Sequence, residues 1–437
     1  MRALLMCAAL VTGVGLTFGI SGMAHAQAVC EIAGAAGSEN TGGAIATDPD
    51  DLACGENASA DGLGVANGAT AVGTASTATG GDATALGSDS TATGNDTTAL
   101  GADASATADS ATAIGNAATS SGLESTSVGA NAIASGESST SVGILANATG
   151  FQSVAVGNRA QATNEDSAAF GDKALATGFH STAIGGEAVA SGAGSQAFGW
   201  RANATGAQAA AVGNQAQATG AAATAIGNLA QATGTNATSL GNTSLASGTN
   251  STAVGRATVA SGANSTALGQ GAVASGANST AIGQNASTAG FANSVAIGTG
   301  TTNTAANQVN VGGRTIGGVA AGVAATDAVN VAQLNAVTTN VTALEDNVAN
   351  LFDLRSTDRR DMKQGVASAM AMAQAPMPSI AGGISYAVNG ATFRGEYAVG
   401  GSMMYRLNTE AAMAVSIGVS FAGNKNNGLR VGVAGEF

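Results

Sequence analysis

Aromatic side chains make up only 3% of these 437 residues. An ordinary core draws much of its buried area from them, so no conventional globular interior is expected. Charged residues reach only 9%, and the 14 Lys and Arg are outnumbered by 27 Asp and Glu, for a formal net charge of −13. Nucleic acid is an unsuitable partner for such a chain, because phosphates call for clustered Lys and Arg. Of the two histidines, His25 lies near the start; His180 has neither a second His nor a Cys near it in sequence, so no metal site is expected there. There is no GxSxG, no HExxH and no P-loop. No pair of carboxylates stands out from the surrounding pattern as an acid–base couple. The chain reads as no enzyme, with no cofactor.

Glycine is abundant, at 65 residues, and it is periodic. An apolar residue followed by Gly recurs every 14 residues from Val72 through Leu86, Leu100, Ile114, Val128 and Val142 to Ile282, and once more, one residue late, at Ile297. A second Gly follows eight places after the apolar residue, from Gly80 to Gly290, interrupted by Ala108 and Asn164. Such a register is the mark of a repeat architecture. Two Gly per unit leave no helical stripe; they suit two corners where φ turns positive. The runs between them, such as Ser279-Thr280-Ala281-Ile282, favour short strands. The unit is one coil of a β-solenoid, its thin interior filled by the Ile, Val or Leu and a few Ala. At ~4.8 Å per coil, 17 coils make a rod of roughly 80 Å. Both strand faces are small or apolar, so one is expected to pack on neighbouring chains. Phe170 and Phe198 stand at the apolar position and read as core; Phe151, Phe179, Phe291 and Trp200 fall at corners. Asp82, Asp89, Asp96 and Asp103 recur every seven residues, as a solvated face or as contacts for a cation or a basic receptor.

Residues 1–26 have the form of a secretory signal: Arg2, an apolar run from Ala3 to Ile20, and Ala24-His25-Ala26 before a cleavage between Ala26 and Gln27. Residues 27–64 form an acidic cap. Export favours a disulfide between Cys30 and Cys54. Asp48-Pro49-Asp50-Asp51 inside that loop lacks EF-hand spacing for calcium. Residues 65–300 are the repeat, and 301–333 a neck containing Arg314. Thr326 or Asp327 is placed to cap a helix.

Heptads follow over 334–364, with Leu334, Val341, Val348 and Arg355 at a and Leu344, Leu351 and Asp358 at d. That is a coiled-coil stalk, in which Arg355 and Asp358 pair between chains and fix register. Val at a with Leu at d leans toward two strands. From Gly365 the helix turns small, until Pro376 and Pro378. Four strand-like runs complete residues 365–437: Ile384–Asn389, Tyr397–Leu407, Ala412–Ala422 and Leu429–Phe437, with a turn at Asn389-Gly390. In the third, Met413, Val415, Ile417, Val419 and Phe421 alternate with Ala414, Ser416, Gly418 and Ser420. Apolar outside and tiny inside is the pattern of an outer-membrane barrel. Four strands cannot close in lipid. Two chains give a lumen that side chains alone fill, whereas three give twelve strands with room for three helices, so a homotrimer is expected.

The neck, the Gly365-Val366-Ala367-Ser368-Ala369-Met370 run, the terminal strands ending in Phe437, and Asn293-Ser294-Val295-Ala296-Ile297-Gly298 resemble the trimeric autotransporter adhesins, the YadA-like family of type V secretion. The resemblance implies a mainly β protein: a trimeric left-handed parallel β-roll head, a short trimeric coiled-coil stalk, and a 12-stranded transmembrane barrel. It places Gly418 against the pore helices, Arg314 and Asp327 in neck and stalk trimerisation, and Phe437 at the barrel terminus. The anchor would sit in the outer membrane, inserted by the outer-membrane assembly machinery, with head and stalk at the cell surface. Attachment to host matrix or cells, or cell–cell autoagglutination and biofilm, is the implied function. An ice- or crystal-binding solenoid is the alternative, suggested by Thr ladders such as Thr77-Ala78-Thr79, which thin out in later coils.

Overall fold

The structure is a computed structural model that describes residues 30–32, 42–62, 68–423 and 425–436. The expected cleavage site at Ala26 and Gln27 and the terminal Phe437 lie outside these residues. The chain divides into two units, Met1–Arg314 and Thr315–Phe437.

In the first unit a three-residue strand alternates with a two-residue strand, as in Thr84–Leu86 and Thr91–Ala92. Each pairs in parallel with its equivalent one coil on: Ala85 with Ala99, Thr77 with Thr91. The longer strands form a 20-stranded sheet, and the shorter ones stack from Ile45–Ala46 to Val273–Ala274. The result is a β-solenoid of about 19 turns. Parallel pairing begins at Ile45 with Ser59 and reaches Val309, so coils extend past both limits of 65–300.

Two expectations about the coil are overturned. The interior holds alanine and serine, not the large aliphatics: Ala85, Ala92 and Ser139 are fully buried, whereas Leu86, Ile184 and Leu268 are about two-fifths exposed. Phe170 is exposed in the same row, and Phe198 is half-buried. In a three-residue strand only the middle side chain points inward, and a 14-residue coil leaves room there for a methyl or a hydroxymethyl. The second correction concerns the corners. The Gly after the apolar residue has positive φ, +132° at Gly227, but the second Gly, such as Gly220, does not. A Cβ on Gly220 would lie 2.0 Å from the carbonyl oxygen of Gly234 in the next coil, so close stacking selects this glycine. The left-handed corner falls two residues later, at Asp82, Asp89, Asp96 and Asp103. Short polar side chains tolerate that conformation, which accounts for the seven-residue spacing.

The second unit contains the helix Val331–Ala371 and four antiparallel strands in sequential order, Ile384–Phe393, Glu396–Arg406, Ala412–Phe421 and Gly428–Glu436. The N-cap is Asn330, not Thr326 or Asp327. Its side chain accepts from the Gln333 amide at 3.0 Å, and the Gln333 side chain accepts from the Asn330 amide in return, a capping box. Asp327 instead accepts the amides of Val323 and Ala324, which hold its carboxyl below the usual range. The helix runs unbroken through 364 and 365. The first strand continues through Asn389-Gly390, where a turn was expected. The turn falls at Arg394 and Gly395, both with positive φ, as a two-residue hairpin requires.

Candidate binding surface

Each coil turns at two corners, and the corners stack into two edges. One edge is tied by amides such as Ser138 to Leu123 O, Gln152 to Glu137 O, Asp166 to Phe151 O and His180 to Glu165 O. The other is tied by Arg159 to Ile144 O, Lys173 to Asn158 O and Arg201 to Gly186 O. Between Cys30 and Gly313 the sequence has four Lys and Arg residues, Arg159, Lys173, Arg201 and Arg256. All four stand on the second edge.

On that edge Arg201 Nε lies 2.6 Å from Glu187 Oε2, and its guanidinium sits 4.3 Å from the exposed Trp200 ring. The Arg201 hydrogen bond holds the Glu187 carboxyl below its ordinary range. On the first edge His180 stacks on Phe179 and lies 3.0 Å from Asp166. The fold thus gives His180 neighbours that its place in the sequence hides: Glu165, Asp166 and His180 have ligating atoms within 4.8 Å of one another, all three exposed. Further along, Asn236, Asn250, Asn264, Asn278, Asn293 and Asn307 form a ladder of side-chain amide bonds of 3.0–3.2 Å. The sequence signal for that ladder is Asn at the left-handed corner every coil. The Thr row in the longer strands is interrupted at Val154 and Ala168 and again at Gln196 and Ala210, and resumes from Thr224 to Thr280.

Asp48, Asp51 and Asp61 also meet, with ligating atoms within 4.8 Å. Burial pushes the Asp51 carboxyl up, but bonds from the amides of Ala69 (2.8 Å), Asp48 (3.0 Å) and Gly62 (3.2 Å) and from the Thr47 hydroxyl outweigh it, leaving its pKa below the ordinary value. The carboxylate where calcium was considered therefore ties a loop to the first coils. Cys54 is disulfide-bonded, and Cys30 is its register partner across an antiparallel pair.

At the end of the solenoid Arg314 reaches back to Thr301 Oγ1 (2.9 Å), Val311 O and Thr299 O (both 2.8 Å). Leu334, Val341, Leu344, Val348 and Leu351 lie exposed along the helix, as do Arg355 and Asp358. Met413, Val415, Ile417, Val419 and Phe421 face outward, whereas Ala414, Ser416 and Ser420 are buried. The last helical turns pack on this inner face: Ala367 and Ala371 meet Ala398 and Ala422, and Ser402 Oγ donates to Ala373 O at 2.7 Å. Gly418 is on that face, but a Cβ there would meet Ser402 at 3.4 Å. The glycine under the helix backbone is Gly400, whose Cβ would lie 2.3 Å from Ala371 O. Sequence alternation could have named Gly400, had the helix contact been visible. No helix among the described residues is long and apolar enough to cross a membrane.

Comparison with known proteins bears on this arrangement. The model of the YadA head domain repeat matches eight successive windows, from 66–90 to 260–286. That of the coiled stalk of trimeric autotransporter adhesin matches 315–353. Together they take in more than half of the chain. Among solved structures, the collagen-binding domain of the Yersinia adhesin YadA is similar at 27% identity over 44% of this chain and 86% of that one, with a TM-score of 0.27. No curated protein matches.

Proposed function

The chain belongs to the YadA-like trimeric autotransporter adhesins, and from that premise we propose that three copies form a surface adhesin held in the outer membrane by a shared 12-stranded barrel. The observation that carries this reading is unfinished burial repeated in every part of one chain. The solenoid turns Leu86, Ile184 and Leu268 outward, and the helix leaves Leu344 and Leu351 uncovered. The terminal sheet presents an apolar outer face and ends in two unpaired edge strands, Ile384–Phe393 and Gly428–Glu436. In lipid each unpaired backbone group costs several kcal/mol. Joining the last strand of one copy to the first of the next closes the wall, and the small inner face admits one helix per copy.

In this reading residues 1–26 direct export, a Cys30–Cys54 disulfide closes the head's tip, and the barrel passes its own head to the surface after insertion by the assembly machinery. Three heads per rod and many rods per cell turn weak contacts into firm attachment, to host matrix or cells or to sister cells. Deleting Leu429–Phe437 tests the anchor: surface labelling should vanish while the head still folds. Full labelling of the deletion would refute it. Binding of displaying cells to matrix proteins, beside a settling assay for self-association, tests the adhesive role.

A further inference from the structure

The last part of the chain is charged unlike the rest. From Arg355 onward eight Lys and Arg stand against five Asp and Glu, whereas the whole chain has 14 against 27. The terminal sheet orders these charges by level. Exposed aromatics on its outer face lie toward both ends: Tyr397 and Phe421 at one, Tyr386 and Tyr405 at the other, with Val388 and Val419 between. Paired aromatic girdles of this kind mark the two interfaces of a membrane barrel. From Tyr397 to Tyr405 the strand climbs ~27 Å, or ~21 Å at a tilt of ~40°, close to the ~25 Å apolar band of such barrels.

Beyond the level of Tyr397 and Phe421 each copy has two turns, and each turn carries one base. Arg394 is in the hairpin between the first two strands, and Lys425 is in the connection between the last two. Both are exposed. The ion pairs among the described residues, Lys173–Asp172, His180–Asp166 and Arg201–Glu187, all lie in the head, so neither base has a described carboxylate in range. Glu396 accepts from Gln364 Nε2 at 2.8 Å, and Arg359 and Lys363 of the helix line a cleft with Arg394. Lys425 has Arg360 and Asp361 across a second cleft. At the opposite end, residues 407–411 hold Glu410 and no base, and Arg406 donates to the carbonyls of Pro378 and Ser379.

We propose that the two turns form a basic rim that docks the phosphate groups of outer-leaflet lipid. The inference rests on the barrel reading and adds a lipid partner to it. In that reading the helix enters from the cell surface, at the end where Gln364 meets Glu396 and Asn426. Arg394 and Lys425 then stand at the outer headgroup level. Three copies alternate them around the mouth, six cations in all. Basic side chains just outside an apolar band attract anionic headgroups, and a guanidinium offers the fork that a phosphate accepts. The phosphorylated glycolipid of an outer leaflet supplies that group, and a neutral headgroup does not.

The test titrates fluorescent lipid A into the full-length chain in detergent micelles, with dephosphorylated lipid A and inorganic phosphate beside it. Lipid A should bind at least about tenfold tighter than its dephosphorylated form. Binding should weaken as salt shortens the Debye length from about 10 Å at 0.1 M to about 3 Å at 1 M. A base beside an anionic surface contributes about a factor of five, so R394Q should lose about fivefold and R394Q/K425Q about 30-fold. R394K/K425R should keep most of the affinity, and R256Q in the head should leave it unchanged. Equal binding of the two lipids, displacement by inorganic phosphate alone, or indifference to R394Q/K425Q overturns the proposal. So does loss of detergent-resistant trimer in R394Q/K425Q, which would assign these bases to contacts between protomers. A full-length chain that stays in solution without detergent sinks the barrel reading. A detergent-dependent trimer that ignores lipid phosphate sinks this inference alone.

Discussion

Replacing either of two glycines by alanine should separate two causes for the recurrence of glycine from coil to coil. Gly220 has negative φ, and an added Cβ would meet only the next coil, 2.0 Å from Gly234 O. Gly227 has φ +132° and its Cβ would lie 2.6 Å from Gly241 O. G220A therefore incurs overpacking alone, about 1–3 kcal/mol. G227A adds backbone strain of about 1–3 kcal/mol, for a total of roughly 2–6. The sequence agrees in direction: the Gly220 position tolerates Ala108 and Asn164, whereas the Gly227 position has no exception from Gly73 to Gly298. Hydrogen exchange reads the damage locally, at the amides of Gly241 and Thr243, bonded to Ile226 O and Asn228 O, for G227A, and at those of Gly234 and Asn236, bonded to Ala246 O and Ala221 O, for G220A. A difference of about 2 kcal/mol corresponds to roughly 30-fold faster exchange in G227A than in G220A. Equal exchange in the two variants, or faster exchange in G220A, would refute the assignment of separate causes.

Other outcomes follow from the loop and the cap. The Asp51 carboxyl is held below its ordinary value, so its contribution is in force above the unfolded pKa of about 3.9 and is lost as pH falls through the lower folded value. Protection of the Ala69 and Gly62 amides should persist from pH 8 to 5 and fail only in stronger acid; D51N should lose both the protection and its pH dependence. N330A removes the capping box and should cost about 1 kcal/mol, visible as earlier fraying of the helix start by circular dichroism or exchange. Reducing the Cys54 disulfide should loosen the first coils by about 3 kcal/mol on the chain-entropy model, measured as faster proteolysis upstream of Thr70.

The period of the head, its two-stranded coil and the alternating terminal strands were legible because each rests on spacing alone, which survives in a linear sequence. The side of each face was not. Ala113 and Ile114 have opposite parity either way, and hydrophobicity assigns the larger one to the interior. Geometry reverses the assignment, because three- and two-residue strands joined by four- and five-residue connections hold the two sheets too close for a branched side chain. The capping residue was misplaced for a related reason. Asp327 has the right chemistry for a cap, and the chain uses it for a turn one step earlier, leaving Asn330 and Gln333 to close the helix. The partners of His180 were hidden because Glu165 and Asp166 reach it by stacking, a whole coil away in sequence.

That reversal strengthens the case for partnership rather than weakening it. Had the aliphatic residue of each coil been inside, the outward face would have carried alanine and serine, with little more than methyl groups to offer a neighbouring chain. With alanine inside, each coil buries little more than methyl groups, while a continuous row from Leu86 to Ile297 waits outside. At about 25 cal/mol per Å² of apolar surface, covering that row between chains adds hydrophobic stabilisation that one chain by itself does not gain. The helix and the four-stranded sheet repeat the same imbalance. A substitution such as I184S on the outward row should therefore weaken the trimer while leaving the intrachain coil pairing, held by Ala183 and the backbone ladder, in place.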